Sequence, residues 1–181
     1  MWSHTVAILI GGQSKRMGSP KHLVELPNGQ TMLEKMLEFA HETAKNVVIV
    51  GGDVDGYVSI HDHREQFGPV AGIEAILMSN IDEKYLVVGC DMPLLEPKDV
   101  EQLIQSTTNS VFTIDDKIIG LPLCVDADVL PVCTAYLDTG GRSIRGFIEE
   151  IPHVKLEFSV SREHALSSMN SRDDINVRFN N

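Results

Sequence analysis

Apolar residues along the chain fall into two kinds of pattern that alternate. Three nearly continuous apolar runs rich in β-branched residues, at residues 5–10, 47–50 and 85–89, are typical of buried parallel strands. Between these runs, apolar residues recur at helical spacing after the turns at residues 27–30 and 68–69. Strand and helix therefore alternate through the first half of the chain, which predicts a mainly parallel sheet with helices on both faces.

Capping residues indicate where three helices begin. Thr31 followed by Glu34 predicts a capping box, in which each side chain binds the backbone N–H of the other residue. Pro97 is typical of the first turn of a helix. Ser171 with Asp174 predicts the start of a short final helix.

The second half of the chain has a looser pattern. Apolar runs at residues 111–114 and 118–125 flank the charged turn 115–117, which predicts an antiparallel hairpin. Weaker patterns predict helices at residues 126–136 and 142–151 and strands at residues 58–60 and 154–158. We therefore predict an α/β fold, a Rossmann-like three-layer sandwich with a mostly parallel sheet and some antiparallel strands in the C-terminal half.

Composition narrows the class of protein. A chain of 181 residues is long enough for one compact domain with a buried core and a ligand cleft. The net charge of -11 argues against a nucleic-acid-binding surface, and the apolar runs are too short to span a bilayer. Three scattered cysteines and the lack of a leader pattern are typical of a reduced cytoplasmic protein. We therefore expect neither nucleic acid nor membrane among its partners.

The charge is distributed unevenly along the chain. All 26 acidic residues follow Val24, whereas Lys15, Arg16 and Lys21 precede it. An acidic body with one basic segment is suited to hold a small anion while it repels polyanions. Charge alone leaves open the alternative that the three cations are simply solvated.

A glycine-containing loop follows the first predicted strand. Gly11 and Gly12 let the backbone approach a ligand closely and turn its N–H groups toward an anion, although the pair also suits an ordinary tight turn. The loop is neither a P-loop, because Ser-Pro follows Gly18, nor a dinucleotide fingerprint. Arg16 can bind phosphate oxygens with two donors, and Lys21 can bind them as a point charge.

The sequence of this loop, Leu-Ile-Gly-Gly-Gln-Ser-Lys-Arg-Met-Gly-x-x-Lys at residues 9–21, resembles the signature of nucleotidyltransferases related to molybdenum cofactor guanylyltransferase. Three more motifs resemble that family in the same order: Gly-Pro-Val-Ala-Gly-Ile at 68–73, Cys-Asp-Met-Pro at 90–93 and Asn-Ser-Arg-Asp-Asp at 170–174. Four motifs over nearly the whole chain imply a single nucleotidyltransferase domain at residues 1–181.

The resemblance implies a role for each matching residue. The nucleotide-binding residues would be Leu9, Ile10, Gly11, Gly12, Lys21, Asp62 and Asp91. Arg16, Lys21 and Asp91 would be catalytic: Arg16 would stabilise the pyrophosphate leaving group, Lys21 would bind the phosphates and Asp91 would bind Mg2+. Weaker candidates for the acceptor site are Pro122, Arg142 and Asn170.

The reaction implied is transfer of GMP from GTP to the terminal phosphate of molybdopterin or molybdenum cofactor, with transient contacts to other cofactor-biosynthesis proteins or molybdoenzymes. Val50 stands where guanylyltransferases often have an asparagine for the base, and Ser168 replaces the first of two asparagines. These departures leave open a related enzyme that uses CTP or a phosphorylated sugar or alditol. A non-catalytic nucleotide-binding module is a third possibility, although Lys21 and Asp91 are both intact.

Three residues near these motifs have simpler interpretations. Asp91 can cap the turn that follows it, although an acid after a buried strand favours metal binding. His61 and His63 suggest a zinc site, but the sequence offers no third ligand. Cys90 ends an apolar strand, which favours a buried, inert thiol over a reactive one.

Overall fold

The computed structural model describes residues 4–10, 20–64 and 67–179 of the chain. In these residues seven strands form one sheet: β1 (Thr5–Leu9), β2 (Asn46–Val50), β3 (Val58–Ile60), β4 (Lys84–Gly89), β5 (Ser110–Ile114), β6 (Lys117–Asp126) and β7 (Val154–Glu157). The α-helices of the same residues are α1 (Met32–Thr43), α2 (Pro69–Met78), α3 (Pro97–Gln105), α4 (Leu130–Asp138), α5 (Ile144–Glu150) and α6 (Arg172–Phe179). Short 3-10 helices cover Lys21–Leu23, Ala127–Val129 and Val160–Leu166.

The strands lie in the order β3-β2-β1-β4-β6-β5-β7. β1 is parallel to β2 and β4, β2 is parallel to β3, and β5 is parallel to β7. β6 is antiparallel to both of its neighbours, β4 and β5. The predicted α/β fold, with a mostly parallel sheet and antiparallel pairing in the C-terminal half, is confirmed.

Each face of the sheet is covered by its own hydrophobic core. Val6 and Ile8 of β1 point into one core, together with residues of α1 and α3. Ala7 and Leu9 point into the other core, with residues of α2, α4 and α5. Because both faces of β1 are buried, its sequence is apolar at every position after Thr5 and does not alternate.

The predicted capping signals form in the structure. Thr31 Oγ1 accepts a hydrogen bond from the Glu34 backbone N–H, and the Glu34 carboxylate accepts one from the Thr31 N–H. Pro97 is the first residue of α3. Ser171 Oγ accepts from the Asp174 N–H at 3.1 Å, and Asp174 Oδ2 accepts from the Ser171 N–H at 2.8 Å.

Two helices begin later than predicted, and one short helix was not predicted. Residues 127–129 form a 3-10 turn before α4, and α5 begins only at Ile144 because Ser143 caps it through Gly146 N. The helix Val160–Leu166 was not predicted, since it is short and lacks helical apolar periodicity. Within the three described ranges, every helix is too short or too polar to cross a bilayer.

Candidate functional site

The four strands of the N-terminal half end at the same edge of the sheet. The last residues of β1, β2, β3 and β4 are Leu9, Val50, Ile60 and Gly89, and the strands pair in parallel register. The residues that follow these ends include Asp62 and Asp91. Ligands of such sheets bind at this carboxyl edge, so we locate the candidate site there.

Three residues predicted from the sequence meet at this edge. The Lys21 ammonium lies 2.7 Å from Asp91 Oδ2 and 2.6 Å from Asn170 Oδ1. The side chains of Lys21 and Asp91 are 21% and 16% exposed, so the ion pair is partly shielded but reachable from solvent. Lys21 and Asn170 are 149 positions apart in the sequence.

The residues around Asp91 fix the position of its carboxylate. A side chain on Gly89 would place its Cβ 2.5 Å from Asp91 Oδ1, so the end of β4 has room for this carboxylate because residue 89 is glycine. The Asp91 carbonyl oxygen accepts a hydrogen bond from the Met169 N–H at 2.7 Å. The Asp91 carboxylate accepts a hydrogen bond from the Lys21 ammonium, whereas the capping interpretation expected it to accept one from the turn that follows.

The donor set at this edge suits a hard divalent cation such as Mg2+. Asp91 offers carboxylate oxygens that solvent can reach, and Mg2+ commonly binds one or two carboxylates and takes its other ligands from phosphates and water. Within the described ranges, no three His, Cys, Asp or Glu side chains are grouped to hold a metal. His61 Nε2 instead lies 3.0 Å from Asp53 Oδ1. The described residues around His61 therefore do not supply the third ligand that a zinc site would need.

Gly72 lies where α2 comes close to the ends of β1 and β2. A Cβ at residue 72 would lie 3.1 Å from Val50 Cγ1, 3.2 Å from Leu9 Cδ2 and 3.4 Å from Asp62 Oδ1. Leu9 and Val50 are buried. Although Asp62 is exposed as a whole residue, partial burial of its carboxyl raises its pKa, and the neighbouring histidines oppose this shift.

The backbone of residues 9 and 10 is already used in the sheet. The Leu9 carbonyl accepts from Cys90 N at 3.0 Å, and the Ile10 N–H donates to the Val50 carbonyl at 2.9 Å. The Leu9 carbonyl and the Ile10 N–H are therefore already hydrogen-bonded within the protein. The prediction that residues 9 and 10 present backbone groups to a nucleotide can concern only their other backbone groups. Gly11, Gly12 and Arg16 lie outside the described residues.

The three acceptor-site candidates are not brought together in the way the sequence analysis grouped them. Asn170 lies beside Lys21 and Asp91. The Arg142 guanidinium stacks on the Phe67 ring at 3.6 Å and donates from Nη1 to the carbonyls of Leu137 and Gly141. Pro122 is buried in β6, next to Leu123, which forms the last pair of the β4–β6 ladder.

An ion-pair network next to Asp62 was not predicted from the sequence. Arg64 donates from Nε and Nη2 to both carboxylate oxygens of Glu74, at 2.7 and 3.0 Å, and from Nη1 to Asp138 at 2.6 Å. These bonds tie the segment after β3 to α2 and α4. The available signal was Glu74 itself, an acid at a buried position of an otherwise apolar helix.

Cys90, next to Asp91, is inert by its surroundings. It is 3% exposed, and burial raises the pKa of its thiol to about 12. Because the thiolate is the reactive form, the predicted buried and unreactive cysteine agrees with this environment.

Comparison with known proteins identifies the family. The family described as the MobA-like NTP transferase domain matches residues 6–154. A molybdenum cofactor guanylyltransferase of Xanthomonas euvesicatoria pv. vesicatoria is 29% identical over 144 residues, covering 78% of this chain and 76% of that protein. A probable molybdenum cofactor guanylyltransferase of Flavobacterium johnsoniae is 26% identical over 180 residues, covering 95% and 94% of the two chains.

A solved structure shares the fold. Molybdopterin-guanine dinucleotide biosynthesis protein A from Archaeoglobus fulgidus superposes with a TM-score of 0.79 at 22% identity, covering 96% of this chain and 95% of that one. The family match spans most of the present chain and includes Lys21 and Asp91, whereas Asn170 lies beyond it. This chain belongs to the MobA-like NTP transferase family of nucleotidyltransferases.

Proposed function

We propose that this protein transfers GMP from GTP to the terminal phosphate of molybdopterin or molybdenum cofactor, which yields the guanine dinucleotide cofactor and pyrophosphate. The observation that carries the proposal is the cluster of Lys21, Asp91 and Asn170 at the carboxyl edge of the sheet. Relatives named for this activity, at 26% and 29% identity, support the choice of substrates. We assign the activity to a single domain, residues 1–181.

The proposed reaction is an in-line displacement at phosphorus. An oxygen of the acceptor's terminal phosphate attacks the α-phosphorus of GTP, and a new P–O bond forms. The bond from the α-phosphorus to the bridging oxygen breaks, and its electron pair leaves with pyrophosphate. Because the attacking phosphate is already an anion, the enzyme needs mainly to position the reactants and neutralise their charge.

Lys21, Arg16 and Asp91 would each stabilise a different part of the reacting phosphates. The Lys21 ammonium would bind the triphosphate as a point charge, and Arg16 would stabilise the leaving pyrophosphate. Asp91 would hold Mg2+, which when bound neutralises phosphate charge. Asp62, whose carboxylate lies near Gly72 at the ends of β1 and β2, would contact the nucleotide.

A product assay tests the proposed reaction. The purified protein is incubated with GTP, Mg2+ and molybdenum cofactor, and the products are identified by mass spectrometry. We expect one guanine dinucleotide cofactor for each pyrophosphate released. Binding of GTP without any dinucleotide product would instead favour a non-catalytic nucleotide-binding module.

A nucleotidyltransferase that uses CTP is the second candidate, because Val50 offers no hydrogen bond to a base. The Val50 side chain is apolar, is 1% exposed and lies against Gly72 of α2. A thermal-shift panel of GTP, CTP, ATP and UTP with Mg2+ separates the two candidates. We expect the largest shift with GTP; stabilisation by CTP alone would reject the guanine assignment.

A further inference from the structure

We infer that Asn170 is a positioning residue for Lys21 and that its role lies in nucleotide binding, not in the acceptor site. The inference rests on the proposed function, because it concerns the lysine assigned there to the phosphates. It replaces the sequence-based grouping of Asn170 with Pro122 and Arg142. Four features of the structure support it.

The first feature is a shared anchor for the two segments. Val24, Leu26 and Met32, which follow Lys21, pack in one small core with Met169 and Ile175, which flank Asn170. Met169 is fully buried, and its N–H donates to the Asp91 carbonyl oxygen at 2.7 Å. The backbones that carry Lys21, Asp91 and Asn170 are therefore held in one packed unit.

The second feature is the fixed conformation of the Asn170 backbone. Asp174 Oδ2 accepts hydrogen bonds from the N–H groups of Asn170 and Ser171, both at 2.8 Å. Ser171 Oγ in turn accepts from the Asp174 N–H. This capping box places Asn170 at the start of α6 through backbone groups, so its side chain is not needed to hold the segment.

The third feature is the orientation of the Asn170 amide. An ammonium has only donors, so the oxygen of the amide must face Lys21, as it does at 2.6 Å. The opposite end, Nδ2, donates to the Ser168 carbonyl at 3.3 Å. Both ends of the amide are therefore engaged within the protein.

The fourth feature is the flexibility of the lysine itself. Lys21 begins a 3-10 turn and has a four-carbon side chain, so a single partly exposed ion pair would hold its ammonium weakly. A second, uncharged acceptor restricts the side chain without adding another negative charge next to Asp91. An amide is suited to that task because it accepts a hydrogen bond and remains neutral.

The first test measures the position of Lys21 in ligand-free protein. Acetylation of Lys21 by acetic anhydride is followed by mass spectrometry, with the exposed Lys45 as the internal reference. We expect Asn170→Ala to speed acetylation of Lys21 about tenfold, the loss of one hydrogen bond to a charged group. Asn170→Asp keeps an oxygen acceptor and should preserve the slow rate, and Asn176→Ala, an exposed asparagine on α6, is the matched control.

The second test asks whether Asn170 acts through Lys21. Binding of Mg2+ and GTP is measured for Asn170→Ala, Lys21→Met and the double variant. We expect Asn170→Ala to weaken binding about tenfold in the wild-type background and by less than about twofold in the Lys21→Met background. Its KM for the acceptor should stay within about twofold of wild type.

Two results would overturn the inference. One is an equal loss of nucleotide affinity from Asn170→Ala with and without Lys21. The other is a raised acceptor KM with Lys21 acetylation unchanged. If the wild-type protein binds CTP in place of GTP, the guanine proposal fails by itself, and the cycle is run with CTP.

Discussion

Two regions of the molecule, the carboxyl edge of the parallel strands and the packing between elements, use their charged residues differently. In the N-terminal half, parallel strands end together, and Asp91 follows one of those ends with its carboxylate partly open to solvent. Between packed elements, charged side chains hold those elements against each other. Arg162 donates to the carboxylate of Asp99, which is 5% exposed, and Arg142 covers the Phe67 ring.

This contrast shows that exposure of the partner separates the two uses of a cation. Lys21 pairs with a carboxylate at the carboxyl edge of the sheet, whereas Arg162 and Arg64 pair with buried carboxylates. A buried, paired carboxylate stabilises packing, and an open one can exchange its partner for a ligand. Substitutions in the two groups should therefore separate activity from stability.

The largest effect is expected at the open carboxylate. Asp91→Asn keeps the shape of the side chain but removes its charge, so we expect turnover to fall about a thousandfold. Steady-state kinetics with GTP and acceptor measures this loss, and Asp128→Asn, at an exposed acid, is the control. Full activity in Asp91→Asn would show that the metal role is wrong.

A stability effect is expected at a buried carboxylate of the second group. Asp99 accepts hydrogen bonds from Arg162 and from the Glu96 N–H that caps α3. We expect Asp99→Ala to lower the free energy of unfolding by about 2 kcal/mol, since the partner and the cap are both lost. Urea denaturation measures the change, and Glu101→Ala, at an exposed acid, is the control. If Asp99→Ala lowered turnover per folded molecule as much as Asp91→Asn does, the separation of stability from activity would be wrong.

The variant Arg142→Ala tests whether Arg142 stabilises the packing between elements or binds the acceptor. Removing its ring contact and its bonds to the end of α4 should lower the free energy of unfolding by about 1 kcal/mol in Arg142→Ala. We expect the acceptor KM to stay near the wild-type value. A severalfold rise of that KM, with nucleotide affinity unchanged, would return Arg142 to the acceptor site, where the sequence analysis put it.

The smallest effect is expected at Asp174, whose carboxylate accepts hydrogen bonds from the backbone at the start of α6. Hydrogen bonds from Asn170 N and Ser171 lower the pKa of the Asp174 carboxyl. The folded pKa is thus below that of the unfolded chain, so the stabilisation is complete above the ordinary value of 3.8 and is lost as the pH falls through the lower folded value. Asp174→Ala should cost about 0.5–1 kcal/mol at pH 7 and nothing at low pH, as thermal melts at several pH values would show.

The fold was largely predictable because its signals are local. Thr31 and Pro97 cap their helices through neighbours within a few residues, and the turn at Asp115 and Asp116, both at positive φ, joins the predicted hairpin. The helix Val160–Leu166 was missed because its position depends on Ala165 and Leu166 packing into a distant core. Its local sequence has no helical period.

The candidate site was predictable only residue by residue. Motif order predicted Lys21, Asp62, Asp91 and Asn170 as site residues, but it assigned Asn170 to the acceptor with Arg142. The structure gives these two residues different neighbours. Sequence cannot report a contact between residues 149 positions apart unless each carries a signal that depends on the other, and a lone asparagine carries none.

The amino-acid sequence by itself determined the alternation of strands and helices, the helix caps and the acid-free basic segment around Lys21. Those features depend on the period of apolar residues and on hydrogen bonds between near neighbours. Only the tertiary structure decided which charges face the open edge and which are paired in the packing between elements. That distinction depends on burial, and burial arises when Val24 and Met169, far apart in the chain, pack in the same core.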